Sequence, residues 1–168
     1  MSPQRPFPAF PCIESFNPVG DIQPCLIRLC RSIDSFEPIS AVFGPAGVGK
    51  TLMAKLLEQQ YSPSHRVITI PDGAIQGRTD LLQHLVHSFE RETEGRDEIT
   101  LNFEFHDCVR SEGKEKRKVL LVVDDAQKLN EAAFEAIRSI TDHLLTPNNM
   151  HMEFGMVRER SGEFITLG

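Results

Sequence analysis

Apolar residues recur at two different periods along the chain, and the switching between them lays out the expected elements. Ile22, Leu26, Leu29 and Ile33 fall three and four apart, so a helix with one apolar stripe is expected over about 21–33. Ile-Ser-Ala-Val-Phe at 39–43 reads as a short strand. Glycines follow, and Leu52, Met53, Leu56 and Leu57 then mark a second helix. Arg-Val-Ile-Thr-Ile at 66–70 reads as a buried strand closed by the turn signal Pro71-Asp72-Gly73. Thr79-Asp80 opens a third helix with Leu81, Leu82, Leu85, Val86 and Phe89 on its apolar side. Residues 90–98 are dominated by charge and read as a loop. Residues 100–110 fit a strand or a helix, and 111–118, Ser-Glu-Gly-Lys-Glu-Lys-Arg-Lys, read as a polar loop. Val119 to Val123 is apolar at every position, as in a central strand covered on both faces. Asn130 is placed to cap a helix that buries Ala133, Phe134, Ile137, Ile140 and Leu144. One or two short strands are expected over 150–168 around Arg160-Ser161-Gly162, with 150–157 the candidate for the next strand of the sheet. Strands alternating with helices imply an α/β fold, a parallel sheet flanked by helices with right-handed crossovers.

Punctuation at the two ends bounds this unit. Pro3, Pro6, Pro8, Pro11 and Pro18 make residues 1–18 an extended, proline-rich arm, because proline removes a donor and disfavours helix before it. Phe7, Phe10 and Phe16 are interleaved there, which gives the arm something to pack. The expected organisation is the arm at 1–18, a core at 19–145, and divergent strands or a tail at 146–168. A length of 168 residues fits one domain with a sizeable core. Eighteen basic against 24 acidic side chains leave a net charge of -6, which does not fit a general nucleic-acid coat protein. Cys12, Cys25, Cys30 and Cys108 form no CxxC pair, which argues against a zinc knuckle or redox motif. Cys25 and Cys30 fall on the first helix and are expected to act as small buried apolar groups. There is neither a run of about 18 apolar residues nor a secretory leader at the start, so no membrane span is expected and the cytoplasm is the expected compartment.

Residues 44–51 carry the chemistry. They read Gly44-Pro45-Ala46-Gly47-Val48-Gly49-Lys50-Thr51, matching G-x-x-x-x-G-K-[ST]. A polyphosphate needs donors packed closely around it. Glycines let the backbone curl so that successive N–H groups point inward, and the helix that follows adds its positive end. Lys50 then bridges the terminal phosphates and the Thr51 hydroxyl ligates Mg2+. At usual glycine frequencies a chance match in a chain of this length is roughly a one-in-a-hundred event. Between an apolar strand and an apolar-faced helix it is rarer still. The second motif is the strand Val119 to Val123 ending in Asp124-Asp125. A carboxylate at the tip of a strand beside the phosphate-loop strand supports Mg2+ opposite Thr51, the part given to Asp124. Asp125 follows, placed to polarise the attacking water.

The apolar strand, Asp124-Asp125-Ala126-Gln127, then Leu129-Asn130 and a helix, resembles the AAA+ ATPases. Within them it is similar to the AAA ATPases of the general secretion pathway A (ExeA) type, whose pattern transposition helper ATPases largely share. Those families also place an aromatic, proline-bearing arm and a helix before the phosphate-loop strand, here Pro6 to Pro18 and Asp21 to Ile33. The resemblance spans about residues 7–145. It implies a P-loop NTPase fold of AAA+ type, with ATP and Mg2+ as cofactors and Gly44 to Thr51 on the phosphates. It assigns Asp124 to the metal and Asp125 to the place of the usual catalytic Glu. Asp is one methylene shorter, although Asp-Asp also occurs in replication-initiator ATPases of the DnaA type. Val19 and Gly20 are candidates to wall the adenine. A full AAA+ module continues into a sensor strand, an arginine finger and a helical lid. Asn148, Asn149, Arg158 and Arg160 are the residues near those places, and the lid is expected to be absent.

The implied function couples Mg-ATP binding and hydrolysis to a protein-assembly or secretion-related process. A second subunit of a homo-oligomer, or another protein, supplies the arginine. The alternatives are a non-hydrolysing nucleotide-binding switch and a DNA-transaction helper. Lys114, Lys116, Arg117 and Lys118 motivate the DNA alternative, yet Glu112 and Glu115 are interleaved and a solvated loop fits better. His84 and His87 share a helix face without a third ligand nearby, and Phe103, Phe105 and His106 are expected to pack in the core. The absence of an Asn-Lys-x-Asp base-reading motif favours ATP over GTP.

Overall fold

The computed structural model describes residues 22–35, 39–70, 75–144 and, as backbone, 152–158. The proline-rich arm lies outside the described residues. Nine principal elements follow one another among the described residues: α1 (Ile22–Asp34), β1 (Ile39–Phe43), α2 (Lys50–Tyr61), β2 (His65–Ile70), α3 (Arg78–His87), α4 (Glu98–Lys114), β3 (Lys118–Val123), α5 (Glu131–Leu144) and β4 (Met152–Arg158). The four described strands are all parallel and lie in the order β1-β4-β3-β2.

That order corrects one expectation. The strand carrying Asp124-Asp125 does not lie beside the phosphate-loop strand, because β4 is inserted between them. Ile39 to Phe43 pair with Phe154 to Arg158, and Val119 to Val123 pair with Met152 to Met156. Chain order carries no signal for this arrangement, since α5 returns the chain to the position beside β3 on the side of β1 without a local mark.

β3 shows why its sequence is apolar throughout. Val119, Leu121 and Val123 enter a core formed with α3, α4 and α5, while Leu120 and Val122 enter a second core with α1 and α2. A strand covered on both faces has no polar side to display. Leu29 and Ile33 of α1, with Met53, Ala54 and Leu57 of α2, fill the second core, as their helical spacing requires. Cys25 and Cys30 are half-buried at its margin rather than fully buried, and Cys108 is buried in α4.

Residues 98–114 are one helix, which settles the ambiguous stretch and shortens the expected loop at 111–118 to the turn around Glu115, Lys116 and Arg117. Asp97 caps the helix, its Oδ1 accepting from the Thr100 N–H at 2.8 Å. The helix separates residues expected to pack together. Positions 103 and 105 share a face in a strand but lie about 200° apart on a helix. Phe105 is fully buried, whereas Phe103 is 71% exposed. α3 begins at Arg78, one residue before the expected opening, with Gly77 at its cap position.

Asn130 caps α5 as expected, its Oδ1 accepting from the Ala133 N–H at 2.7 Å while its amide donates to the Gln76 carbonyl at 3.0 Å. Replacing Asn130 with alanine removes these bonds and a third to Gln76 Oε1 at 3.3 Å. A loss of about 1 kcal/mol in urea unfolding is expected from the cap, and an unchanged midpoint would show that α5 needs no such closure.

Candidate active site

The phosphate loop leaves β1 at Phe43 and enters α2 at Lys50. Two of its glycines adopt positive φ, +82° at Gly47 and +95° at Gly49, a conformation that strains any side chain. A Cβ on Gly44 would meet Val48 Cγ2 at 3.1 Å, so the loop is also closely folded on itself. Ile22 at the start of α1 packs beneath it, 3.4 Å from where a Cβ on Gly49 would stand. Local backbone chemistry therefore dictates this curl, and α1 supports it.

Lys50 is 8% exposed, and its Nζ donates to the carbonyls of Gly44 and Pro45, both at 2.9 Å. The ammonium is thus folded inside the loop and held at its rim by two neutral acceptors. The carbonyls orient it without neutralising its charge, so it remains a strong partner for an anion.

Across from the loop, β3 ends at Val123 and the chain turns through Asp124 and Asp125 into a single 3-10 turn, Ala126–Lys128. Asp124 is half-buried, and its Oδ1 accepts from the Asp125 N–H at 3.0 Å. Asp125 sits in the left-handed region, φ 52° and ψ 41°, which Asp tolerates better than most residues. Its Oδ2 is paired with Lys128 Nζ at 3.0 Å, and its Oδ1 accepts from Gln127 Nε2 at 3.0 Å. The Lys128 bond first, then the Gln127 bond, hold the Asp125 carboxyl below the usual carboxylate range despite some desolvation, and the Lys50 charge adds to the effect. Asp125 is therefore ionised at neutral pH.

Both segments follow the C-terminal ends of parallel strands, where open α/β sheets hold their ligands. Between them lies a cleft of about 470 Å3. Ala46, Gly47, Gly49, Lys50, Thr51 and Leu52 line one side, and Asp125, Gln127 and Lys128 line the other. The structure thus brings together most of the expected loop with Asp125. Gly44 and Pro45 contribute carbonyls to Lys50, Val48 is 40% exposed, and Asp124 is not among the lining residues. Gln127 and Lys128 were not anticipated. The single 3-10 turn brings Lys128, three residues after Asp125, back over the carboxylate, and a turn this short leaves no periodic mark in the sequence.

Other candidates separate from the cleft. Val19, Gly20, Asn148, Asn149 and Arg160 lie outside the described residues. The backbone of Arg158 pairs with Phe43, which puts this residue at the C-terminal end of the inner strand β4, level with the start of the phosphate loop. Arg117 turns toward the domain, its Nε 3.4 Å from Glu112 Oε2 and its Nη2 donating to the His65 carbonyl at 3.2 Å. The His84 ring lies 3.1 Å from the Thr69 carbonyl through Nε2, and no group of three or more potential metal ligands occurs among the described residues. No described helix is long and apolar enough to cross a membrane.

A family model described as AAA domain matches residues 33–154 of the chain. The chain belongs to the AAA domain family. Its AAA domain is an AAA+ P-loop ATPase domain by family and by fold. Among solved structures it is similar to Cdc6p from Pyrobaculum aerophilum, with 16% sequence identity and a TM-score of 0.65. The match covers 92% of this chain and 42% of that one, so the AAA domain spans less than half of that protein's length. At such identity the likeness shows the shared fold. No curated protein sequence matches the chain.

Proposed function

We propose that this AAA domain binds Mg-ATP in the cleft between the phosphate loop and the Asp124-Asp125 turn and hydrolyses it. The observation that carries this reading is the opposed pair of charges there. Lys50 is held inside the loop at its rim, and an ionised Asp125 lines the other wall. The residues fit the cofactor. Left-handed Gly47 and Gly49 curl the backbone into an anion nest, and the start of α2 adds its positive end.

In this mechanism Lys50 and the loop amides neutralise the terminal phosphates. The Thr51 hydroxyl and the Asp124 carboxylate would hold Mg2+, which when bound neutralises charge on the phosphate oxygens. Asp125 accepts a proton from water and orients it, a role that needs a carboxylate kept ionised at neutral pH. An arginine from a neighbouring subunit or partner would complete the charge stabilisation. ATP rather than GTP, and a secretion-related or protein-assembly process, are supported by the resemblance to the ExeA type.

Phosphate release under saturating Mg-ATP tests the reading. Asp125→Asn is expected to lower turnover about a hundredfold while a fluorescent ATP analogue still binds. Equal turnover in the variant would remove Asp125 from the mechanism. A non-hydrolysing switch is the second reading, favoured by the engagement of both Asp125 oxygens with Lys128 and Gln127. Nucleotide binding without phosphate release, at high protein concentration, would select it. A DNA-transaction role draws on Lys114, Lys116 and Lys118, but Arg117 of that run is committed to Glu112 and His65. DNA-stimulated phosphate release would favour it.

A further inference from the structure

Lys128 is the one cation of the cleft wall opposite Lys50 among the described residues, and its Nζ lies on the Asp125 carboxylate at 3.0 Å. We propose that Lys128 is a phosphate-responsive clamp: it holds Asp125, and a terminal phosphate entering the cleft draws it away and frees the carboxylate for water. This inference rests on the reading of the cleft as a nucleotide site.

Four features carry it. The first is reach, since Lys128 lines the same cleft as Lys50 and Thr51, and its four-carbon stem can turn without moving the backbone. The second is a weak starting contact. Lys128 is 48% exposed and Asp125 34%, and an exposed ion pair of this kind contributes little and is readily exchanged. The third is charge, because the terminal phosphate of ATP carries more negative charge than one carboxylate and offers three acceptor oxygens. The fourth is that Gln127 grips the other oxygen of Asp125 at 3.0 Å. With Lys128 gone, that bond still aims the carboxylate. ADP lacks the terminal phosphate, so it leaves the clamp in place. The clamp therefore ties release of Asp125 to the presence of a triphosphate.

Lys128 acts through Asp125, as a positioning residue, and its signature is discrimination between nucleotides. The full chain is titrated calorimetrically with ADP and with a non-hydrolysable ATP analogue, both with Mg2+. Lys128→Met is expected to reduce the preference for the triphosphate over ADP about fivefold, or roughly 1 kcal/mol, with ADP affinity unchanged. Lys128→Arg is expected to keep the preference. A preference equal to wild type in Lys128→Met, or an equal loss of both nucleotides, would overturn the clamp and leave the nucleotide site standing. A wild-type chain that binds neither nucleotide would overturn both. Thermal melting of each variant separates these outcomes from misfolding, and Lys128→Gln repeats the test with a polar side chain.

Discussion

Replacing Lys50 with alanine is expected to weaken ATP binding about a hundredfold, a loss of roughly 3 kcal/mol. Lys50 is the buried cation of the phosphate loop, its ammonium donating to the Gly44 and Pro45 carbonyls. Truncating it removes a charge from the place where an anion would lie. It also leaves two loop carbonyls without their donor, so the loop itself loosens. Competition titration with a fluorescent ATP analogue measures the change, and circular dichroism checks that the variant is folded. Affinity within threefold of wild type would show that the loop amides alone hold the phosphates.

The largest effect on stability is expected at Phe105. Its ring is fully buried among Leu81, Leu82 and Leu85 of α3 and the inward residues of β3, with the Phe89 ring centroid 6.3 Å away. Alanine there should cost about 3–5 kcal/mol, because the lost transfer energy is joined by that of a cavity. In a chain of this size that lowers the melting temperature by about 10 °C. The same truncation at Phe103, two residues away and 71% exposed, should change stability by less than about 0.5 kcal/mol. Denaturant unfolding of the two variants side by side measures the contrast. Equal costs would place both rings in the core and contradict the helix at 98–114.

Those two phenylalanines also show what could be read in advance. In Leu101-Asn102-Phe103-Glu104-Phe105 the apolar residues alternate, which is a strand signal, while Leu101, Phe105 and Cys108 keep helical spacing. Both periods are present, and the packing of α4 on α3 decides between them. β3 was legible because a strand buried on both faces is apolar throughout. The phosphate loop was legible because its glycines and lysine serve a local need, a curled backbone around an anion, that few other residues meet. The insertion of β4 between β1 and β3 was not legible, since hydrophobic pattern gives the faces of a strand and not its neighbours. The place of Asp125 after β3 is what marks it in the sequence, and it lines the cleft. Lys128 is not legible because its contact with Asp125 depends on a single 3-10 turn with no apolar period of its own, which brings its ammonium back over the carboxylate. Cys25 and Cys30 are half-buried because they flank the apolar stripe of α1 and pack at the margin of the second core.

Equilibrium titration of the purified chain with a fluorescent ATP analogue tests the nucleotide site most directly. Saturable binding that needs Mg2+ and is competed away by unlabelled ATP is the expected result, with Lys50→Ala as the matched loss. A cooperatively folded chain that gives no saturable signal would contradict the assignment of this cleft to ATP.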